Sequence, residues 1–241
     1  MIEVHQLLAF NDNYIHVLLD KAAGEGVVID PGDAETVLRA VRQNGWRLTQ
    51  IWATHHHDDH VGGSLDLKKE LGLKAVGARQ DAHRLPGLDI GVGDGDRLKL
   101  GGHEARVLAV PGHTSGHVAY WFEAEKLLFP GDTLFAMGCG RLFEERAEVM
   151  WSSLCRLMAL PGDTLVYCAH EYTLANGNFA MTVESGNDAL HLRLKEAQAM
   201  RTEGLSTVPF RLDLDLATNP FLRAGSAERF GELRRQKDVF R

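Results

Sequence analysis

Thr54-His55-His56-His57-Asp58-Asp59-His60 concentrates more potential metal ligands within one short reach than any other part of the chain. In an extended segment side chains alternate, so His55 and His57 point the same way, and Asp59 with His60 follows as the backbone turns. Imidazoles and a carboxylate with no thiolate suit zinc, iron or manganese. Four such groups exceed the three that a mononuclear catalytic zinc usually takes from protein, which points to two metals. The spacing, the apolar run Ile51-Trp52-Ala53 before it and the Gly62-Gly63 pair after it separate the stretch from a histidine-rich tract without order.

Working outward, three more apolar runs each end on a candidate ligand. Val107-Leu108-Ala109-Val110 precedes Pro111-Gly112-His113, Leu127-Leu128-Phe129 precedes Pro130-Gly131-Asp132, and Leu165-Val166-Tyr167 precedes Cys168-Ala169-His170. In layered α/β folds the active groups sit in loops beyond the carboxyl ends of strands, so strands that end this way imply one shared rim. Asp132 is the carboxylate that could bridge two cations. His117 stands four residues after His113, but Thr114-Ser115-Gly116 makes a regular helix between them doubtful, and it falls outside the ligand set. His83 and His103 read as surface residues.

The rest of the first 172 residues alternates strand and helix. Ile2 to Leu8, Tyr14 to Leu19 and Val27 to Ile29 read as strands between turn clusters, and Asp33 to Asn44 as a helix stopped by Gly45. A second helix should run from Gly62-Gly63-Ser64 to Gly72, a hairpin should turn at Asp94-Gly95, and Glu145 to Leu160 should form a helix on the sheet. After Tyr172 strand signals fade. Asn187 to Arg201 and Ser226 to Phe240 read as helices, the latter capped by Ser226 and exposing Glu228, Arg229, Arg234, Arg235 and Lys237.

With 241 residues, 44% apolar and 24% charged, the chain is long enough for a substantial core and is ordinary for a soluble protein. A net charge of -7 argues against nucleic acid or a membrane surface as the main partner. Cys139, Cys155 and Cys168 are odd in number and lack a CxxC spacing, so neither a disulfide framework nor a sulfur-ligated zinc is indicated, and a reducing cytoplasm fits best. No secretion signal or membrane span is expected from the start of the chain or its apolar runs.

The series His55-x-His57-x-Asp59-His60, His113, Asp132, His170 resembles the metallo-β-lactamase superfamily of binuclear hydrolases over residues 1–172. Within it, Gly138-Cys139-Gly140-Arg141-Leu142-Phe143-Glu144, His170-Glu171-Tyr172-Thr173, Asn219-Pro220-Phe221 and Leu233-Arg234-Arg235-Gln236-Lys237-Asp238 resemble the glyoxalase II, or hydroxyacylglutathione hydrolase, family. The resemblance implies an α/β fold, a four-layer αβ/βα sandwich over residues 1–172 with a small helical substrate-binding domain over residues 173–241. It implies that His55, His57 and His113 hold one metal, that Asp59, His60 and His170 hold a second, that Asp132 bridges them, and that Asp30 orients a ligand imidazole. The ions would be two divalent metals per chain, zinc first, with iron or manganese as alternatives.

The implied activity is hydrolysis of S-D-lactoylglutathione to glutathione and D-lactate in methylglyoxal detoxification. A hydroxide generated between the metals would attack the thioester carbonyl, oriented by Asp59 as the catalytic residue. Arg141, Phe143, Tyr172, Arg234 and Lys237 would bind glutathione, whose two carboxylates require cationic groups on this acidic chain. Some family members have Lys at the Arg141 position and Tyr at that of Phe143, and Phe143 can offer packing but no hydrogen bond. The enzyme is expected to be a cytoplasmic monomer with no nucleic-acid or membrane partner. Competing readings are a lactonase or a single-iron persulfide dioxygenase on the same fold, a non-catalytic zinc module, and an RNA-processing nuclease, which the acidic balance disfavours.

Overall fold

The computed structural model describes residues 1–240 and divides into two compact units. The first comprises Met1–Ala109 with Gly116–Gly131; the second comprises Val110–Ser115 and the chain from Asp132 onward.

In the first unit, β1 (Ile2–Ala9), β2 (Asn13–Asp20) and β3 (Glu25–Ile29) form an antiparallel meander. α1 (Ala34–Asn44) then carries the chain to β4 (Leu48–Trp52), parallel to β3. The side chain of Asp33 caps α1 by accepting from the amides of Glu35 and Thr36, and, as the sequence predicts, Gly45 ends it, in the left-handed region. After α2 (Asp58–Val61) and α3 (Ser64–Leu71) come β5 (Lys74–Ala78) and β6 (Leu88–Val92), so the sheet runs in order from β1 to β6.

β7 (Arg97–Leu100), β8 (His103–Ala109), β9 (Val118–Phe122) and β10 (Leu127–Phe129) follow as antiparallel neighbours. On one face of the first sheet Val17, Val28 and Ile51 pack with Val37 and Leu38 of α1 and Leu67 of α3. On the other, Trp52 stacks on Phe122 with ring centroids 5.9 Å apart and meets Tyr120 at 5.1 Å. β9 is buried at every position because it lies within this apolar filling.

The expected hairpin at Asp94-Gly95 does not form. Gly95 donates to Val107, Val107 to Asp96, and the Asp94 side chain accepts from Ala109, so the turn is tied to β8 and carries the chain from one sheet to the next. The hairpin lies one turn later, where Leu100 pairs with His103 across Gly101-Gly102. His83 is exposed as expected, but His103 is half-buried, held by Glu125 at 2.5 Å with Asp20 at 3.8 Å.

The second unit contains the short hairpin of β11 (Leu134–Phe135) and β12 (Gly138–Cys139), then α4 (Ala147–Met158), two turn residues shorter at each end than the sequence predicts. β13 (Leu165–Val166) pairs antiparallel with β14 (Phe210–Arg211), a strand that the sequence reading misses. α5 (Thr173–Val183), α6 (Asp188–Thr202), α7 (Leu212–Thr218) and α8 (Ala227–Val239) make up the helical remainder. Fully buried Asp215 accepts from the Met137 amide and pairs with Arg193, while Asn219 donates to the Gly138 carbonyl and to Asp215. These bonds pin the helices to the β11–β12 hairpin and explain why Asn219-Pro220-Phe221 reads as a motif. No helix among the described residues is long and apolar enough to cross a membrane.

Candidate metal centre

The first unit brings its candidate ligand groups together from the ends of neighbouring strands. Asp30 follows β3 in the left-handed region (φ 50), unusual for a residue with a side chain and a mark of constrained backbone at functional positions. Its Oδ1 accepts from the Thr54 amide at 2.7 Å, its Oδ2 accepts from the Thr54 hydroxyl at 2.7 Å, and the same oxygen faces His60 Nδ1 at 3.0 Å. Asp30 thus joins the Thr54 amide, the Thr54 hydroxyl and the His60 ring at one buried carboxylate. All three residues are buried.

His55 Nε2 lies 3.0 Å from His57 Nδ1, and His60 Nε2 lies 3.5 Å from Asp59 Oδ2. Two nitrogens at zinc-bond length from one ion and at a tetrahedral angle lie about 3.3 Å apart, so the first spacing suits a shared cation. The stretch therefore divides into an imidazole pair and an imidazole–carboxylate pair, with His55 and His60 also close together, their ring centroids 4.1 Å apart. Asn13, buried at the start of β2, donates to Asp59 Oδ2 at 3.0 Å and anchors that carboxylate. His56 turns away to a buried group, with Asp81 at 3.4 Å and Arg84 at 3.2 Å.

In the second unit Asp132 stands between two imidazoles. Its Oδ2 lies 3.4 Å from His113 Nε2 and its Oδ1 lies 3.4 Å from His170 Nε2. His113 Nδ1 donates to the Arg141 carbonyl at 2.8 Å, which leaves Nε2 as the lone-pair nitrogen facing the carboxylate. Tyr172 stacks on His170 with ring centroids 4.7 Å apart, and Phe143, largely exposed, sets its edge against His113 at 5.1 Å. Gly140 allows this packing, because a Cβ there would come within 2.0 Å of the Asp132 carbonyl oxygen.

Of the cationic residues, Arg141 is well exposed, with Asp238 at 3.4 Å. Arg234 departs from its expected exposed place: only 5% accessible, it donates to the Cys139 carbonyl, pairs with Asp238 at 3.0 Å and lies over the Phe221 ring. The cause is helical spacing, since Arg234 falls four residues after Phe230 on the inward face of α8. Lys237 donates to the Ala175 carbonyl and lies near the Phe179 and Phe240 rings. Burial, reinforced by the charges of Arg234 and Arg141, lowers its pKa to about 8. Burial likewise pushes the Cys139 and Cys168 thiols up to about 11 and about 12, which suits packing rather than nucleophilic attack.

Neither Asn13 nor Tyr120 carries a motif signal, and His117 falls outside the ligand set that the sequence implies. His117 is buried and stacks on His55, centroids 4.7 Å apart and planes at 18°; the Tyr120 hydroxyl donates to the Ala53 carbonyl, just before the histidine stretch. Only the H-x-x-x-H spacing of His113 and His117 offered a sequence signal.

A model of the metallo-beta-lactamase superfamily matches residues 15–170, and a model of the hydroxyacylglutathione hydrolase C-terminus matches residues 171–240. A hydroxyacylglutathione hydrolase from Methylococcus capsulatus is 52% identical, covering all of both chains. The chain belongs to the hydroxyacylglutathione hydrolase family. The family lies within the metallo-β-lactamase superfamily and carries that fold, followed here by the helical C-terminal region. Among solved structures, ETHE1 from Myxococcus xanthus is 26% identical with a TM-score of 0.77, covering 99% of this chain and 92% of that one. TTHA1623, solved in a di-iron-bound form, is 29% identical with a TM-score of 0.59 over 68% of this chain and 91% of its own.

Proposed function

We infer that this chain hydrolyses S-D-lactoylglutathione and related 2-hydroxyacyl thioesters of glutathione to glutathione and the free hydroxy acid, at a centre of two divalent metals. His55, His57 and His113 would hold one ion, Asp59, His60 and His170 the other, with Asp132 shared. The observation that carries the reading is the placement of Asp132, whose two oxygens each face a different imidazole. A carboxylate so flanked is built for two cations. Nitrogen–oxygen ligation fits zinc, iron or manganese, and zinc is the first expectation.

When bound, the two ions supply Lewis acidity that lowers the pKa of a shared water from ~15.7 toward ~7 and polarises the thioester carbonyl. Asp59, held at Oδ2 by Asn13, orients the attacking water through its carboxylate. The departing glutathione thiolate is a good leaving group, its parent thiol having a pKa near ~8.5, so no protein acid is required. Arg141 and Lys237 meet the glutathione carboxylates, and Tyr172 and Phe143 offer ring surface beside His170 and His113. Arg234 acts by holding the Cys139 carbonyl, and with it the segment that leads to Arg141. Residues 173–241 serve as the substrate-binding domain. The enzyme works as a cytoplasmic monomer, a compartment that suits its free thiols.

Metal content measured together with turnover on a panel of glutathione thioesters tests this. Two ions per chain and preference for 2-hydroxyacyl thioesters are expected, with Asp59→Asn losing about 10²-fold or more in kcat. One iron per chain with oxygen consumption would favour the dioxygenase reading instead, and unchanged turnover in Asp59→Asn would remove the part given to Asp59.

A further inference from the structure

The hydroxyl of Thr54 stands between the buried carboxylate of Asp30 and the ring of His55. Thr54 is wholly buried; its Oγ1 lies 2.7 Å from Asp30 Oδ2 and 3.1 Å from His55 Nδ1. A hydroxyl has one hydrogen to give, and a carboxylate can only accept it. With that hydrogen committed to Asp30, the Thr54 oxygen must accept from His55, which fixes the proton of His55 on Nδ1 and the lone pair on Nε2. Nε2 is the nitrogen 3.0 Å from His57 Nδ1. The same Asp30 oxygen accepts from His60 Nδ1 at 3.0 Å, which leaves the His60 lone pair on Nε2, toward Asp59.

We propose that Thr54 is a positioning residue that relays the Asp30 carboxylate to His55, so that one buried carboxylate sets the tautomer of an imidazole in both candidate ligand pairs. The surroundings are built to hold the hydroxyl in place. Gly131 is left-handed (φ 51), and a Cβ there would come within 2.3 Å of the Thr54 oxygen and 2.8 Å of His117. His117 covers the face of the His55 ring while Thr54 fixes its edge. The Asp30 charge is also felt by Tyr120, where it joins burial in raising the phenol pKa well above its ordinary value. The inference rests on the metal-centre reading above, but not on the identity of the substrate.

Two variants and one spectrum test the relay in the zinc-loaded protein. Thr54→Val keeps the shape of the side chain and deletes the hydroxyl; Thr54→Ser keeps the hydroxyl and deletes a methyl. Zinc affinity by chelator competition should fall about 10–100-fold in Thr54→Val, as for other lost partners of ligand histidines, and recover to within about threefold in Thr54→Ser. In the unsubstituted holoenzyme, 15N–1H spectra should show His55 protonated at Nδ1 with Nε2 toward zinc, a readout that needs no variant to fold. Coordination of His55 through Nδ1, or undiminished zinc affinity in a folded Thr54→Val, would overturn the relay while leaving the metal centre intact. A wild-type protein that takes up no divalent metal would overturn the centre and the relay together.

Discussion

Raising the pH from 7 to 9 should weaken the binding of glutathione thioesters through Lys237. Its ammonium is partly withdrawn from water and stands near Arg234 and Arg141, and its pKa falls to about 8. A lysine whose pKa is lowered is charged below that value and neutral above it. Roughly nine-tenths of the ammonium is therefore present at pH 7 and roughly one-tenth at pH 9. If the charge is what meets a glutathione carboxylate, KM should rise by up to about tenfold over that interval while kcat changes little, the pattern of a group that contributes uniform binding. The same shift has a stability consequence of definite sign. Between about 8 and the ordinary 10.5 the unfolded chain retains a proton that the folded chain releases, so stability contributed by this group rises with pH across that window.

Initial-rate kinetics on a glutathione thioester at fixed ionic strength, corrected for alkaline hydrolysis, would measure the effect. Lys237→Arg separates the enzyme's titration from that of the substrate amine, since a guanidinium stays charged throughout. Lys237→Gln should show the raised KM at every pH. A KM flat from pH 7 to 9 in the unsubstituted enzyme, or the same inflection in Lys237→Arg, would refute the assignment.

Other substitutions probe the supports rather than the binding charge. Asn13→Ala should cut kcat about tenfold or more, because Asp59 loses the donor that fixes Oδ2; steady-state kinetics beside an unaltered circular dichroism spectrum would check it. Arg234→Ala should lower unfolding free energy by about 2–3 kcal/mol in urea titration, since it strands the Cys139 carbonyl and removes packing on Phe221. Asp215→Ala should cost about 3–5 kcal/mol, because Arg193 is left as an uncompensated buried charge; an intact denaturation midpoint would show that solvent reaches the network.

What the sequence reveals of the centre follows from local spacing. A histidine pair separated by one residue on an extended segment must share a face, and His55 and His57 do bring their nitrogens together. The cap signals at Gly45 and Ser226 are equally legible, because each acts within a few residues of itself: Gly45 donates to the Val41 carbonyl and Ser226 accepts from the Arg229 amide. Longer-range pairings are not. The turn at Asp94-Gly95 has hairpin residues, yet its partners lie on β8, and no local rule tells a turn that returns to its own sheet from one that leaves it. Arg234 misled for a related reason: a charged residue in a charged tail reads as solvated, whereas its burial depends on Cys139 and Asp238 being where they are.

Burial of polar groups in this protein follows from pairing, and pairing also accounts for the order of importance among residues that spacing alone cannot rank. Thr54 and Asn13 look interchangeable with any small polar residue, but the side chain of each donates to a carboxylate, Asp30 or Asp59. Asp30 is buried, and an unpaired buried carboxylate costs more than a normal hydrogen bond returns, so its contact with Thr54 is held by the fold and not by the metals. The Asp30–Thr54 geometry should therefore already be present before any ion arrives, and the affinity of the centre should depend on residues that never touch the ion. A centre organised only by its ions would instead show the same zinc affinity with and without the Thr54 hydroxyl.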